Sequence, residues 1–367
     1  MTPVMSKVSN EKVRVAEAAL RRVVSSIFEK LGVSPADAAE GADVLVMSDL
    51  RGVESHGVSN MLRNYVKGYQ DGRLNQSAGW KVMRESTATA VIDAERRLGI
   101  LVGPKAMRLA VEKAKVTGVG VVTVCNGGHF GAIGHHAMIA ADQDMVGMCL
   151  VGVGGFDLSV LPTFSAEPMF GTNPIAVAAP AEKEAPFLFD VATTVIAGNK
   201  IRSAVRTGEP LLPGWVADKQ GNLLAKEAMV QDRYQYYLLP LGGTRELGSH
   251  KGYGLSMTAE IFSSLLSGGL PNMLGTNTSS KAHFAAYDIS AFTDLSNFKK
   301  DMDRMLVKLR TAKPVEGQER VLYPGLIEYD ALQRRRRDGI PLHKEVIQWF
   351  ENITAEFSIL PLEVLPK

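Results

Sequence analysis

The sequence predicts an α/β fold. Two runs rich in β-branched residues, at 119–124 and 146–151, are typical of buried strands. Apolar residues at helical spacing lie on both sides of the first run and indicate helices at 103–117 and 132–142. Strands that alternate with helices in this way are typical of α/β proteins.

The N-terminal region is expected to be helical. Residues 13–31 carry apolar side chains at helical spacing and stop at Gly32, a residue type that commonly ends helices. A second helix is predicted from the N-cap Ser34, with Pro35 in its first turn, to residue 47. The remaining expected elements are strands at 87–93, 175–179, 187–190 and 282–289, a hairpin at 214–224, and helices at 249–266, 296–311, 324–337 and 342–357.

Composition narrows the class of protein. The 367 residues exceed what one core usually supports, so about two or three subdomains are expected. Lys and Arg number 41 against 39 Asp and Glu, a balance that gives no reason to expect a nucleic-acid partner. No secretory signal and no apolar run approaching ~20 residues is recognisable, so no membrane partner is expected and a cytoplasmic location is the default. Cys125 and Cys149 lie in apolar runs typical of buried thiols in a reducing compartment.

The stretch 48–65, SDLRGVESHGVSNMLRNY, contains the first candidate for chemistry. It places His56 between Ser55 and Gly57, directly after the second predicted helix, with a fixed cation at Arg51. A neutral imidazole both takes and gives a proton near pH 7 without special tuning. If the chain is an enzyme, His56 is therefore the first residue to test.

Two further segments carry candidate groups. His129 lies in the turn 126–131, between a predicted strand and a predicted helix, where exposed N–H groups favour anions. Asp190 ends the short apolar run 187–190, and a carboxylate at the end of a buried strand needs a partner. A histidine would serve as that partner.

The glycine-rich segments do not match a Rossmann fingerprint. In the run 152–157 the third glycine of G-x-G-x-x-G is replaced by Asp157, and no helical pattern follows at once. A standard dinucleotide fold is therefore not predicted, while another backbone that cradles phosphate stays open.

The sequence is also a poor match to the usual motifs of metal sites and of serine hydrolases. His129, His135 and His136 show no H-E-x-x-H spacing, and we expect no metal. Ser55 adjoins His56, but no G-x-S-x-G elbow is present. The chemistry that survives is proton transfer by a histidine that a carboxylate orients, next to an anion site built from loops.

Six ordered motifs then carry a resemblance over nearly the whole chain. RGVESHGV, GGHFGAIGHH, FGTNPIAVAAP, FDVATT, GSHKGYGL and YPG resemble the malate/L-lactate dehydrogenase type 2 family. That family groups with sulfolactate, ureidoglycolate and diketogulonate dehydrogenases and with cyclic-imine reductases. The resemblance implies a homodimeric oxidoreductase that uses NAD or NADP and acts on small 2-hydroxy acids or their 2-oxo counterparts.

The resemblance also implies an architecture. It is a nicotinamide-binding fold that is not Rossmann, with a central mixed sheet and a helical domain built from both termini. Residues 1–84 would form the N-terminal helical part, 85–290 the central cofactor-binding domain, and 291–367 the C-terminal helices that pack with the N-terminal part.

Site residues follow from the resemblance position by position. His56 is the implied proton donor or acceptor, His129 has that role in some members, and Asp190 would orient and charge-stabilise His56. The substrate-binding candidates are Arg51, Ser55, Asn60 and Arg63. The cofactor-binding candidates are Ala185, Pro186, Phe187, Leu188, Phe189, Asp190, Val191, Lys200, Ser249, His250, Lys251, Pro324, Gly325 and Leu326.

Three departures from the family pattern affect the expected substrate and cofactor. Many members carry arginine four residues after the SHG histidine, where this chain has Asn60, so Arg51 or Arg63 would have to replace it. Leu326 replaces the usual acid after Pro-Gly, and the segment 154–163 is unlike the expected Ser/Pro loop. A cyclic-imine reductase is the alternative function. A metal-assisted hydrolase or lyase using His129 and His136, or a silent binding module, ranks lower.

Overall fold

A seven-stranded mixed sheet lies at the centre of the fold. The computed structural model describes residues 12–76, 79–154, 158–275 and 279–366. The strands are β1 (Lys12–Val15), β2 (Lys81–Glu85), β3 (Thr89–Asp93), β4 (Val119–Gly127), β5 (Met145–Gly152), β6 (Ile175–Ala179), β7 (Phe187–Val191), β8 (Val216–Ala217), β9 (Tyr237–Leu238), β10 (Ser280–Asp288) and β11 (Ile340–His343). The central sheet has the order β2-β3-β4-β10-β5-β6-β7. Within it β3 and β4 run parallel, and the other neighbours are antiparallel.

The helices cover this sheet and form a separate layer. They are α1 (Glu17–Lys30), α2 (Pro35–Leu50), α3 (Val58–Gln70), α4 (Gly99–Thr117), α5 (Gly134–Ala141), α6 (Gly198–Thr207), α7 (Ser249–Glu260), α8 (Leu295–Arg310), α9 (Leu326–Asp338) and α10 (Lys344–Glu356). A Cβ atom on Gly120 would lie 1.9 Å from the carbonyl oxygen of Ala110, and one on Gly147 would lie 2.2 Å from that of Ala137. Glycine at these two strand positions therefore lets α4 and α5 pack directly on the sheet.

Both chain termini contribute to one helical layer. A single apolar cluster joins Leu20, Phe28, Leu45 and Leu62 of the N-terminal helices to Phe350 of α10. In contrast, α8 packs beside the sheet, in a cluster with residues of β6 and of the 323–326 turn. Residues of α9 and α10 thus share the apolar cluster of the N-terminal helices, whereas α8 does not. The implied helical part from both termini stays a prediction. The boundaries after residues 84 and 290 stay predictions.

Two predicted helices start later than expected. Residues 12–15 and 340–343 form β1 and β11, which pair antiparallel, so that Val15 lies opposite Ile340. The predicted helices at 13–31 and 342–357 therefore begin only at Glu17 and Lys344. Their first apolar residues fit a helical spacing as well as a strand, and only pairing across more than 300 residues selects the strand.

Other elements were not expected from the sequence. They include α3, α6 and β2. In α3 the buried residues Val58, Met61, Leu62, Tyr65, Val66 and Tyr69 recur at helical spacing, so the sequence did contain a signal for this helix. The predicted hairpin at 214–224 is a tight turn, in which the Leu224 N–H donates to the Val216 carbonyl at 2.9 Å. Its first strand, β8, also pairs with the distant β9. The remaining predicted strands and helices are confirmed, with ends shifted by a few residues.

Two findings bear on the expectations from composition. Cys149 is buried in β5 and Cys125 is only partly buried, and both are free thiols. Within the described ranges, no helix has the length and apolar character needed to cross a bilayer. A cytoplasmic location stays a prediction.

A buried carboxylate positions the loop between α2 and α3. Asp49 is fully buried, and its Oδ2 accepts a hydrogen bond from the Val58 N–H at the start of α3. A Cβ atom on Gly57 would lie 2.1 Å from Asp49 Oδ1, so the glycine that follows His56 is required by this contact. Arg335 of α9 donates to the Asp49 carbonyl at 2.6 Å and to Glu54 at 3.0 Å. Residues 51–57 form the loop between these helices, which we call the SHG loop. It is thus held by both the N-terminal and the C-terminal helices.

Asp49→Asn should change how stability depends on pH. Burial raises the pKa of Asp49 from 3.8 to about 7, so the folded protein binds this proton more tightly than the unfolded chain. Wild-type stability contributed by Asp49 is then lost as the pH rises from about 4 to about 7. Asparagine keeps an acceptor for Val58 without titrating. We expect the free energy of unfolding of D49N, relative to wild type, to rise by a few kcal/mol (on the order of 2–4) across that interval in urea denaturation.

Asp37→Asn is the matched control, because Asp37 lies in the same helix and is equally buried. Although burial alone would raise its pKa, the hydrogen bond from Lys105 and the charge of Arg97 hold that pKa below 3.8. D37N should therefore lose stability near neutral pH, with a smaller loss in acid. Parallel pH profiles for the two variants would contradict this account of Asp49.

Candidate active site

One large cavity brings the candidate residues together. It has a volume of about 870 Å³ and lies between the SHG loop, the turn after β4, the end of β7 and the start of α9. Of the residues singled out in the sequence, it is lined by Arg51, Ser55, His56, His129, Leu188, Phe189, Asp190, Val191, Pro324 and Gly325. Residues far apart in the chain therefore share one cleft, as the motifs predicted.

The two candidate histidines face each other in this cavity. The rings of His56 and His129 are nearly parallel, at an angle of 9° with centroids 5.6 Å apart. His56 Nδ1 lies 2.9 Å from the Ser55 hydroxyl, and no hydrogen bond joins His56 Nε2 to the described residues. Burial lowers the pKa of His56 to about 4, so the ring is neutral at pH 7.

His129 is held by two partners at one nitrogen. Its Nδ1 lies 2.7 Å from the Tyr65 hydroxyl and 3.1 Å from the Gly131 backbone nitrogen. Burial, with a smaller contribution from His56, lowers the pKa of His129 to about 3. Two uncharged imidazoles therefore stand side by side in the cleft.

Asp190 lies in the same cavity but does not orient His56. Its Oδ2 accepts a hydrogen bond of 2.7 Å from the Gly134 N–H, at the start of α5, and no hydrogen bond joins it to His56 in the described structure. The expected direct contact between them is wrong, because a backbone donor on the helix takes up the carboxylate. Inside the cleft, removal from bulk water raises the pKa of Asp190 to about 6, while the bond from Gly134 opposes the shift.

Arg51 supplies a positive charge to the cavity wall. It follows α2 and makes no salt bridge with any residue that the structure describes. Burial lowers its pKa, and the charges of Asp142 and Glu328 oppose this shift. A guanidinium without an ion-pair partner is suited to bind a carboxylate or a phosphate.

Three predicted contact residues point elsewhere. Asn60 donates to the Glu54 carbonyl at 2.6 Å and so braces the SHG loop from within. Arg63 pairs with Glu345 at 2.7 Å and lies over the ring of Trp349. Lys200 is exposed and lies over the ring of Trp215. None of the three lines the cavity, so of the two proposed replacements for the missing family arginine, Arg51 alone fits.

The segment 249–251 also lies apart from the main cavity. Ser249 lines a second cavity of about 290 Å³, and its hydroxyl is 2.7 Å from that of Thr163. His250 Nδ1 is 3.0 Å from a guanidinium nitrogen of Arg245, and Lys251 is exposed. The predicted cofactor residues that lie outside the main cavity are Ala185, Pro186, Phe187, Lys200, Ser249, His250, Lys251 and Leu326. The side chain of Leu326 is buried against α8, where it replaces the family acid.

The cavity also contains residues that the sequence did not single out. Asn199 of α6 donates to the Ser55 carbonyl at 2.6 Å and so connects α6 to the SHG loop. Gly171 and Thr172 line the wall, and their FGTNP motif was a signal that could have identified them. Arg202 of α6 also lines the cavity, but no sequence motif singles it out. Residues 155–157, part of the segment unlike the family loop, lie outside the described residues.

A metal site at His129 and His136 does not fit this geometry. His136 is fully buried, and its Nε2 lies 2.8 Å from the Phe130 carbonyl oxygen, whereas His129 faces the cavity. In the part of the chain that the structure describes, no group of three potential metal ligands is present. The hydrolase or lyase that would use this histidine pair is therefore not supported.

Comparisons with known proteins agree with this arrangement. A model of the family described as malate/L-lactate dehydrogenase matches residues 15–351. The malate dehydrogenase of Pyrococcus horikoshii is 37% identical over 358 residues, which are 96% of this chain and 98% of that protein. The L-sulfolactate dehydrogenase of Methanocaldococcus jannaschii is 34% identical and covers 92% of this chain and 96% of its own.

Solved structures show the same likeness. The malate dehydrogenase of Pyrococcus horikoshii OT3 superposes with a TM-score of 0.86 at 34% identity, covering 97% of this chain and 99% of its own. The delta1-piperideine-2-carboxylate reductase of Pseudomonas syringae has a TM-score of 0.78 at 25% identity, covering 93% and 99%. These matches make the chain an oxidoreductase of the dehydrogenase type. It belongs to the malate/L-lactate dehydrogenase family.

Proposed function

We propose that the protein interconverts a small 2-hydroxy acid and its 2-oxo acid, with NAD or NADP as hydride carrier. The observation that carries this proposal is the pair of neutral imidazoles, His56 and His129, in one cleft with Arg51, which forms no salt bridge to the described residues. The malate and sulfolactate dehydrogenases among its relatives bear names of enzymes with such substrates. The hydride carrier and the substrate class rest on this family membership and on the fit described next.

The cavity fits a nicotinamide dinucleotide in size and chemistry. Its volume of about 870 Å³ lies within the range of cofactor sites. Leu188, Val191 and Ile327 offer apolar surface for a ring, and Arg202 offers a cation for phosphates. Because the sheet is largely antiparallel, we propose that this binding mode is not the Rossmann mode. When bound, the nicotinamide supplies the hydride acceptor for oxidation and the hydride donor for reduction.

His56 is the proposed proton carrier. Its free Nε2 takes the hydroxyl proton while the hydride leaves C2 of the hydroxy acid, so that the C2–O bond becomes a carbonyl. In reduction, the protonated ring returns that proton to the oxygen. The low pKa of His56 keeps it neutral and able to accept a proton before oxidation begins.

Arg51 is the proposed partner of the substrate carboxylate. Arg63 is occupied by Glu345, and Asn60 by the Glu54 carbonyl. Arg51 lines the same cavity as both histidines, and a guanidinium binds a carboxylate through two parallel hydrogen bonds. Holding the acid at this end would orient C2 toward the imidazoles.

A cyclic-imine reductase is the second candidate. The observation that favours it is the similarity to the piperideine-carboxylate reductase, together with Asn60 in place of the family arginine. The same His56 would protonate an imine nitrogen in place of a carbonyl oxygen. Titration of NADH and NADPH by fluorescence, followed by a screen of 2-oxo acids and cyclic imines with the tighter one, separates the two functions.

We also propose that two copies associate through an apolar surface on α7 and the residues that follow it. This helix continues as a π-helix (Ile261–Leu265) and lies against β5 and β10. Its outer side and the following loop expose large apolar side chains, which we call the α7 surface: Leu255, Ile261, Phe262, Leu265, Leu266, Leu270 and Leu274. Contiguous exposed apolar residues of this kind mark association sites in soluble proteins.

His56→Ala should abolish most catalysis and spare cofactor binding. Removal of the proton carrier lowers turnover by about two to four orders of magnitude, whereas the groups proposed to hold the dinucleotide remain. Turnover is measured by absorbance at 340 nm, and NADH or NADPH affinity by fluorescence titration. Unchanged turnover on the identified substrate would contradict this role of His56.

Asp190→Asn should remove a pH dependence of oxidation. The Asp190 carboxyl ionises near pH 6, and its negative charge in the cavity wall favours the positive ring of the oxidised nicotinamide. We expect wild-type kcat/KM for oxidation to rise as the pH increases through about 6, and D190N to lack this rise. Asparagine keeps an acceptor for the Gly134 N–H. Persistence of the inflection in D190N would assign it to another group.

Leu265→Lys should separate the proposed dimer. A charge at the centre of the α7 surface would have to be buried without a partner on association. Light scattering at micromolar concentration should give about twice the chain mass of 39.7 kDa for wild type and a mass near one chain for L265K. Val315→Lys, at an exposed apolar residue outside this surface, is the control. A monomeric wild type would refute the dimer.

A further inference from the structure

We propose that Tyr65 is a positioning residue, which holds His129 as a neutral imidazole with its proton on Nε2, directed to the substrate oxygen. This inference deepens the proposed function and assigns different tasks to the two stacked histidines. His56 carries the proton, and His129 donates a fixed hydrogen bond.

The backbone of Gly131 determines which ring nitrogen of His129 has the lone pair. The Gly131 N–H lies 3.1 Å from His129 Nδ1 and has a geometry suited to donation. A backbone N–H can only donate, so Nδ1 must accept and bears no proton. A neutral imidazole then has its proton on Nε2.

The Tyr65 hydroxyl adds a second donor at the same nitrogen. A phenol can donate or accept, but an Nδ1 without a proton leaves it only the role of donor, at 2.7 Å. Tyr65 is 3% exposed, and burial raises its pKa, so the phenol stays protonated at every pH of interest. Protonating Nδ1 would cost the hydrogen bond from the Gly131 N–H, which can only donate, and would require the Tyr65 hydroxyl to reverse from donor to acceptor. Both effects disfavour the imidazolium form of His129.

The free side of His129 is available to the substrate. His129 lines the main cavity, and its Nε2 makes no hydrogen bond to the described residues. A preorganised donor aimed at a developing alkoxide stabilises the transition state without needing to reorganise. His56 differs, because no backbone N–H of the described residues donates to its Nδ1, which faces only the Ser55 hydroxyl, a group that can donate or accept as the ring changes charge. The ring that can change charge is therefore the proton carrier.

Tyr69 makes the claim about Tyr65 testable. It lies one turn later in α3, is 6% exposed and belongs to the same apolar cluster. Its ring packs edge-on against Phe28, and its hydroxyl has no hydrogen-bond partner among the described residues. Packing is thus alike for the two tyrosines, and the bond to His129 distinguishes them.

The experiment compares Tyr65→Phe with Tyr69→Phe in the full-length protein. NMR of histidine labelled with ¹⁵N should show, for wild type and Y69F, a His129 with Nδ1 unprotonated and Nε2 protonated. In Y65F we expect the pKa of His129 to rise, because one of the two donors at Nδ1 is lost. Turnover should fall by about tenfold or more in Y65F, with KM changed by less than about threefold, and stay at the wild-type value in Y69F.

Two outcomes would overturn the proposal. One is a wild-type spectrum with the His129 proton on Nδ1. The other is a Y65F variant whose His129 pKa and turnover equal those of wild type. If no variant transfers hydride with any 2-oxo acid or imine, the proposed function fails instead, and the NMR comparison still decides the role of Tyr65.

Discussion

The insertion of β10 between β4 and β5 is the constraint on which the rest of the structure depends. β10 comes from a distant part of the chain and pairs antiparallel with both strands, along most of its length. β4 and β5 therefore run in the same direction, and their carboxyl ends lie at one edge of the sheet. The turn with His129 follows β4 at this edge, and residues 153–154 follow β5. One strand pairing thus assembles two walls of the cavity.

The helical layer completes the site from the other side. The loop after α2 brings His56 onto the ring of His129, and Asp49, Arg335 and Asn199 hold that loop from three elements. Burial raises the pKa of Asp49, and its Oδ1 has no hydrogen-bond partner among the described residues, so ionising this carboxyl as the pH rises toward neutral costs stability. The protein tolerates this cost where it positions the candidate base, which is typical of functional sites.

Several correct and incorrect predictions have the same physical origin. Apart from β2, the strands of the central sheet and the helix α4 carry apolar runs or repeats that can be recognised locally, and the structure confirms them. The apolar spacing predicts helix for residues 13–15 of β1 and 342–343 of β11, because so few residues fit both spacings and the deciding partner lies at the other end of the chain. By residue type, Arg63 and Lys200 are candidates for binding an anion. In the structure Arg63 pairs with Glu345 and lies over Trp349. Lys200 lies over the ring of Trp215.

Local features of the sequence are enough to predict the α/β class and the family and to single out His56 and His129 as candidates, because motifs, turns and apolar periodicity are local properties of the chain. The hydrogen-bond and ion-pair partners of each side chain depend on the folded structure. It places Asp190 on the Gly134 N–H and not on His56, gives Arg51 no salt bridge to any described residue, and puts Tyr65 against His129. Hydrogen bonds form between groups within about 3 Å in space. Sequence spacing does not encode which distant groups come that close.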